Sequence, residues 1–170
     1  MAYMSESGKV RDMENLMKFI KGKIADVGCG PDKITPDAIG YDGKKLDGVN
    51  VDGEGCWINK DEVYDTVFSS HFLEHTANPF DYMIDWYGAL KPGGHLVLYL
   101  PDQRWYDNNN NPEHLHSWNY RDFMFWFVRA LCGGALDFKG QQLERMFELV
   151  ISGEDKGDDR YSFWLVAKKV

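Results

Sequence analysis

Cysteine, clustered basic charge and long apolar runs are all scarce in this sequence, and each shortage closes off a class of protein. The three cysteines, Cys29, Cys56 and Cys132, are an odd number and form no C-x-x-C. A disulfide framework and a zinc knuckle are therefore not expected, and reduced thiols in a cytoplasmic compartment are. Nineteen basic side chains stand against 27 acidic ones, for a net charge of −8. A surface of that sign repels phosphate backbones, so nucleic acid is not an expected partner. No apolar run approaches the ~20 residues needed to cross a bilayer, and Met1 to Lys9 is too polar and small for a secretory leader. What is plentiful is core material. Hydrophobic residues make up 44% of the 170 residues and aromatics 15%, enough for one globular domain over 1–170, with 1–9 as a loose tail.

The apolar periodicity alternates between strand and helix. Val10 to Ile20 carries apolar residues at 10, 13, 16, 17 and 20, a helical stripe. Short strands are expected at Ile24–Val27, Ala38–Tyr41, Gly48–Val51 and Tyr64–Ser69. A helix should run from Pro79 to Leu90, started by its proline and stopped by Lys91-Pro92-Gly93-Gly94. His95–Leu100 reads as a fifth strand and Tyr120–Leu131 as a helix whose stripe, Phe123, Trp126, Phe127 and Ala130, faces a sheet. Met146–Ile151 and Tyr161–Ala167 read as two strands linked by the polar GEDKGDD, as in an antiparallel hairpin. The expected fold is α/β and Rossmann-like: a mostly parallel, seven-stranded sheet ending in an antiparallel hairpin strand. Ligands of such sheets sit beyond the carboxyl ends of the strands. Polar and glycine residues follow each of the first five: DVGCG, GYDGK, NVDGEG, SSHFLEH and LPDQRW.

ADVGCGPD follows the first strand with only two glycines, Gly28 and Gly30; Lys33 stands where a dinucleotide fingerprint has its third. That gap and the lack of a Tyr-x-x-x-Lys pair weaken a nicotinamide oxidoreductase. An acid after the second strand, Asp42, is placed to accept ribose hydroxyls, and one after the third, Asp52, to meet an adenine amino group. A cofactor with a ribose and an adenine but no phosphate fits.

At this point the chain resembles the class I S-adenosylmethionine-dependent methyltransferases. IADVGCGPD resembles their first motif, AIGYD the second, NVDGEG the third, YDTVFSSHFLEH the fourth and LKPGGHLVLYLPD the segment entering the fifth strand. The resemblance covers about Ile24 to Asp102, and its strength lies in five motifs in order. It implies S-adenosyl-L-methionine as cofactor, S-adenosyl-L-homocysteine as product, and cofactor contacts at Asp26, Gly28, Cys29, Gly30, Asp42, Asp52, Gly53, Ser69, Ser70 and His71. Between Gly28 and Asp37 there is no room for the usual crossover helix, and Pro31 and Pro36 oppose one. This short variant resembles methyltransferases associated with glycan and lipopolysaccharide modification. It leaves one sheet face thinly covered, which favours a homodimer or an added lid.

His71 to His75 spells H-x-x-E-H, the spacing of certain zinc proteases, with Glu144 or Glu148 available as a further ligand. That chemistry needs both histidines on one helix. Here the motif runs straight out of a strand, and any helix must end before Asn78-Pro79, so no metal is expected. In the methyltransferase reading, Ser69, Ser70 and His71 wall the methionine end, and His75 is the first candidate for a base taking a proton from an acceptor hydroxyl. His116 and His114 follow, in the loop after strand five, where Asp102, Arg104 and Trp118 also border the mouth. The acceptor is expected to be a saccharide or small molecule. The rival reading is a non-catalytic S-adenosylmethionine-binding partner subunit, marked by the absence of an acceptor pocket behind His71–His75.

Overall fold

The computed structural model describes residues 5–43, 49–50, 58, 63–107, 111–133, 144–157 and 159–170. Strands β1 (Ile24–Val27), β2 (Ile39–Tyr41), β3 (Val49–Asn50), β4 (Tyr64–Ser70), β5 (Leu90–Pro101), β6 (Phe147–Gly157) and β7 (Arg160–Lys169) form one sheet in the order β3-β2-β1-β4-β5-β7-β6. The pairs from β3 to β5 are parallel, and β7 runs antiparallel to both β5 and β6. The body is thus six strands, with the two-residue β3 as a minimal edge. The strand order reverses between β1 and β4, which makes their carboxyl ends the place for a ligand.

Each sheet face has its own core. Helices α3 (Pro79–Ala89) and α4 (Tyr120–Leu131) cover one face with Met83, Trp86, Phe123 and Phe127. The other face is not bare, contrary to the thin cover expected from the missing crossover helix. Helices α1 (Glu6–Arg11) and α2 (Glu14–Met17) fill it with Val10 and Leu16, packed with Ile34, Phe68, Val97 and Trp164. Two expectations change here. Residues 6–9 are the start of α1 rather than a loose tail, with Ser5 capping it by accepting the Gly8 N–H at 2.9 Å. The single stripe over 10–20 is two short helices, broken at Asp12-Met13.

No helix forms between β1 and β2, as the prolines require. The loop is held instead by Asp26, whose buried carboxylate accepts the Ile34 N–H at 2.6 Å. From outside, Arg11 of α1 binds Asp32 at 2.8 Å and the Lys33 carbonyl at 2.9 Å. At the opposite end of the sheet, β5 begins five residues earlier than expected. Leu90 pairs with Tyr64, the ladder shifts register, and Thr66 next pairs with His95. KPGG thus ends α3 and forms the irregular start of the strand. The hairpin strands also run longer, through most of GEDKGDD. Among the described residues, no helix is long and apolar enough to cross a membrane.

Candidate functional site

A cavity of about 620 Å³ opens at the switch point, where the ends of β1, β2 and β4 meet the loop at 111–116. Gly28, Asp42, His71, Phe72, His75, Thr76, Tyr82 and Glu113 are among the residues that line it. Gly28 has φ +73°, and a Cβ there would meet the Phe72 side chain at 2.6 Å. Only glycine meets both demands. Gly30 also has a positive φ, and its N–H donates to Asp42 at 2.8 Å. The acid after β2 therefore reaches back over the glycine turn and lines the cavity. Cys29 lies beneath the turn, its thiol under Gly40, where a Cβ would come within 2.8 Å of it.

The remaining cofactor candidates separate by role. Asp26 does not line the cavity; burial pushes its carboxyl up to about 7, and it fastens the β1–β2 loop. Ser69 is buried, and its hydroxyl donates to the Val27 carbonyl at 3.0 Å, tying β4 to β1. Ser70 is buried too, with no hydrogen-bond partner for its hydroxyl. Asp52 and Gly53 lie outside the described residues. His71 directly follows β4 with φ +47°, and its Nε2 sits 2.8 Å from Ser162 Oγ. Burial first, then Lys9, His114 and His75, hold it down to about 3, so its imidazole is neutral.

The H-x-x-E-H segment is not a protease helix. His71 is the first residue after β4, and only Leu73–His75 makes a turn, of 3-10 type. The backbone carbonyl of Glu74 accepts two N–H groups from the distant loop, Leu115 at 2.7 Å and His116 at 3.2 Å. His116 Nε2 donates to the Thr76 carbonyl at 2.9 Å while its ring stacks on Trp118 at 4.9 Å. His75 Nδ1 donates to the Glu113 carbonyl at 3.2 Å. These bonds bring His114 against His75, with ring centroids 4.6 Å apart. His116 is thereby committed to structure, whereas His75 lines the cavity with His114 packed against it. Neither Asp102 nor Arg104 faces it. Buried Asp102 binds Arg104 and accepts the Tyr120 N–H at 3.0 Å, anchoring α4. Sequence reasoning missed Tyr82 and Glu113 as walls; Tyr82 lies off the apolar stripe of 79–90 and packs partly against the core, so its spacing carried no sign of the cavity.

Glu74 is wholly buried, and both of its carboxyl oxygens lack a hydrogen-bond partner. Burial, with Glu6 nearby, pushes it up to about 8. Its Oε1 lies 3.8 Å from both His71 Nδ1 and His75 Nε2.

Comparison with known proteins gives this geometry a context. The family described as "Methyltransferase domain" matches residues 11–148. An S-adenosylmethionine-dependent methyltransferase from Archaeoglobus fulgidus superposes with a TM-score of 0.64, at 15% identity, over 96% of this chain and 94% of that one. The Burkholderia thailandensis 1,6-didemethyltoxoflavin-N1-methyltransferase, solved with S-adenosylhomocysteine, superposes with a TM-score of 0.68 at 11% identity, over 98% of this chain and 79% of that one. A tRNA U34 carboxymethyltransferase from Methylococcus capsulatus is 51% identical over 36 residues, which are 21% of this chain and 11% of that protein.

Proposed function

The chain belongs to the class I S-adenosylmethionine-dependent methyltransferases, and from that premise we propose that it methylates an oxygen of a saccharide or small hydroxy compound. The observation that carries this is a single cavity lined both by Gly28 and Asp42 and by His75. Gly28, Cys29, Gly30 and Asp42 cradle the cofactor, with Asp42 turning from Gly30 to the ribose hydroxyls. The acceptor enters between Phe72, Tyr82 and Glu113, and His75 activates its hydroxyl. A sulfonium methyl is already reactive, so the protein's task is to align the oxygen with the S–CH3 bond and exclude water. The hydroxyl gives up its proton, its oxygen bonds to the methyl carbon, and the C–S electrons pass to sulfur.

The partner-subunit alternative predicts no space behind His71–His75; a cavity there favours turnover. The net charge of −8 favours an uncharged or weakly charged acceptor over a polyanion. The test is turnover of S-adenosylmethionine against nucleotide sugars, glycans, small hydroxy compounds and, as a contrasting arm, RNA. His75→Ala should lower turnover on the acceptor found by about 10²–10⁴-fold, with cofactor affinity unchanged. Turnover on RNA alone would overturn the acceptor assignment. Full activity of His75→Ala would remove His75 from the chemistry.

A further inference from the structure

The sequence spacing offered no third ligand near the His114-x-His116 pair. The fold supplies two, Glu74 and His75. Donor atoms of Glu74, His75 and His114 all lie within 4.8 Å of one another. The geometry points to a binding site for a divalent transition-metal ion, held by Glu74, His75 and His114 and opening onto the acceptor cavity.

Three features mark this cluster as built rather than incidental. First, the Glu74 carboxylate is wholly buried with neither oxygen hydrogen-bonded. A buried polar group without a partner is costly, and a cation at Oε1 removes that cost. Second, His75 Nδ1 donates to the Glu113 carbonyl at 3.2 Å, which leaves Nε2 as the lone-pair nitrogen, 3.8 Å from Glu74 Oε1. A ligating histidine almost always donates its other ring N–H to a carbonyl or carboxylate in this way. Third, the position of His114 is imposed by the fold. Leu115 and His116, the two residues after His114, donate their backbone N–H groups to the Glu74 carbonyl.

Metal–ligand distances of about 2.0–2.2 Å place neighbouring donors roughly 3 Å apart, so the cluster must contract. His75 and His114 are both partly exposed, and the contraction falls to them rather than to buried Glu74. Two imidazoles and one carboxylate suit zinc, cobalt, nickel, iron or manganese rather than calcium. Three protein ligands leave coordination positions open, and His75 sets them towards the cavity beside Tyr82 and Glu113. An acceptor hydroxyl bound there would be more acidic, as metal-bound water is. It would release its proton to water, and its oxygen would bond to the methyl carbon as the C–S electrons pass to sulfur. The ion then stands in place of a free imidazole base. Two adjacent hydroxyls of a sugar would occupy two open positions together, which favours a vicinal diol. This part rests on the methyltransferase reading above; the binding site itself does not.

The experiment titrates Co²⁺ into chelator-stripped protein without cofactor or acceptor and follows visible absorption and stoichiometry. One ion per chain is expected, with Glu74→Gln, His75→Ala and His114→Ala each weakening it at least tenfold. His95→Ala, at the far end of β5, is expected to bind as the wild type does. Circular dichroism of each variant separates loss of a ligand from loss of the fold. Should Glu74→Gln unfold the protein, the two histidine variants decide. Absence of Co²⁺ uptake, or wild-type uptake by both histidine variants, overturns the site. S-adenosylmethionine binding, measured on the same samples, reports on the methyltransferase reading separately.

Discussion

Asp26 and Asp42 stand at the ends of neighbouring strands, yet the fold gives them opposite tasks. Asp26 is sealed in and its carboxyl is pushed up to about 7, by burial above all. In the folded protein it keeps its proton up to that pH, whereas the unfolded chain releases it near 3.8. The folded state therefore binds the extra proton between these values, and stability falls as pH rises from about 4 to about 7. Asp26→Asn should remove this slope in the cofactor-free protein. At pH 8 the variant should gain up to about 4 kcal/mol, from three pH units at roughly 1.4 kcal/mol each. Urea midpoints at pH 5 and pH 8 measure it, and parallel curves for the two proteins would refute it. Asp42 faces the cavity, so Asp42→Ala should leave the fold intact and weaken S-adenosylmethionine binding by about 1–3 kcal/mol, the loss of hydrogen bonds to a charged group. Calorimetric titration decides, and an unchanged affinity would take Asp42 away from the ribose. Gly28→Ala should be worse than either, because Phe72 lies 2.6 Å from the new methyl group on a backbone with φ +73°. A stability loss of about 1–3 kcal/mol is expected from overpacking alone, together with weakened cofactor binding.

The loop at 111–116 acts as a clamp on the 3-10 turn. His116 holds it through the Thr76 carbonyl and the Trp118 ring. His116→Ala should cost about 0.5–1.5 kcal/mol in thermal or denaturant melts for the lost hydrogen bond; an unchanged midpoint would mean that the backbone bonds to Glu74 suffice. The ability of the sequence to announce elements was uneven for a physical reason. β1, α3 and α4 were legible within a residue because their apolar spacing and their stops are local. The early start of β5 was not, since KPGG joins the ladder only by pairing with β4 across the chain. GEDKGDD read as a link because it is polar, but a strand at the sheet margin can keep its ladder while its side chains face water. The same division holds at the site. Gly28, Asp42 and His75 were legible from their places after strands. The meeting of His114 with Glu74 and His75 depends on bonds spanning some forty residues, which no periodicity encodes.

At the scale of the whole molecule, cofactor and fold should be coupled, because the cavity is walled by three strand ends and a distant loop. A ligand at 100 times its dissociation constant stabilises the native state by about 2.7 kcal/mol. For a chain of this size that should raise the melting midpoint by roughly 5–10 °C. S-adenosylmethionine and S-adenosylhomocysteine should do so, and NAD should not; equal shifts with NAD would contradict the family's cofactor in this chain. β7 closes the sheet by lying between β5 and β6, and it also delivers Ser162 to His71. The order of synthesis gives that arrangement a cost in time. β5 emerges from the ribosome with its outer edge open, carrying buried Leu96, Leu98 and Leu100, and its partner strand is not complete until Lys169. At ordinary elongation rates that wait is on the order of 3–14 s. Throughout it, an apolar strand edge is available to any other nascent chain, so crowded, rapid expression should yield aggregates whose exposed sequence is that of β5.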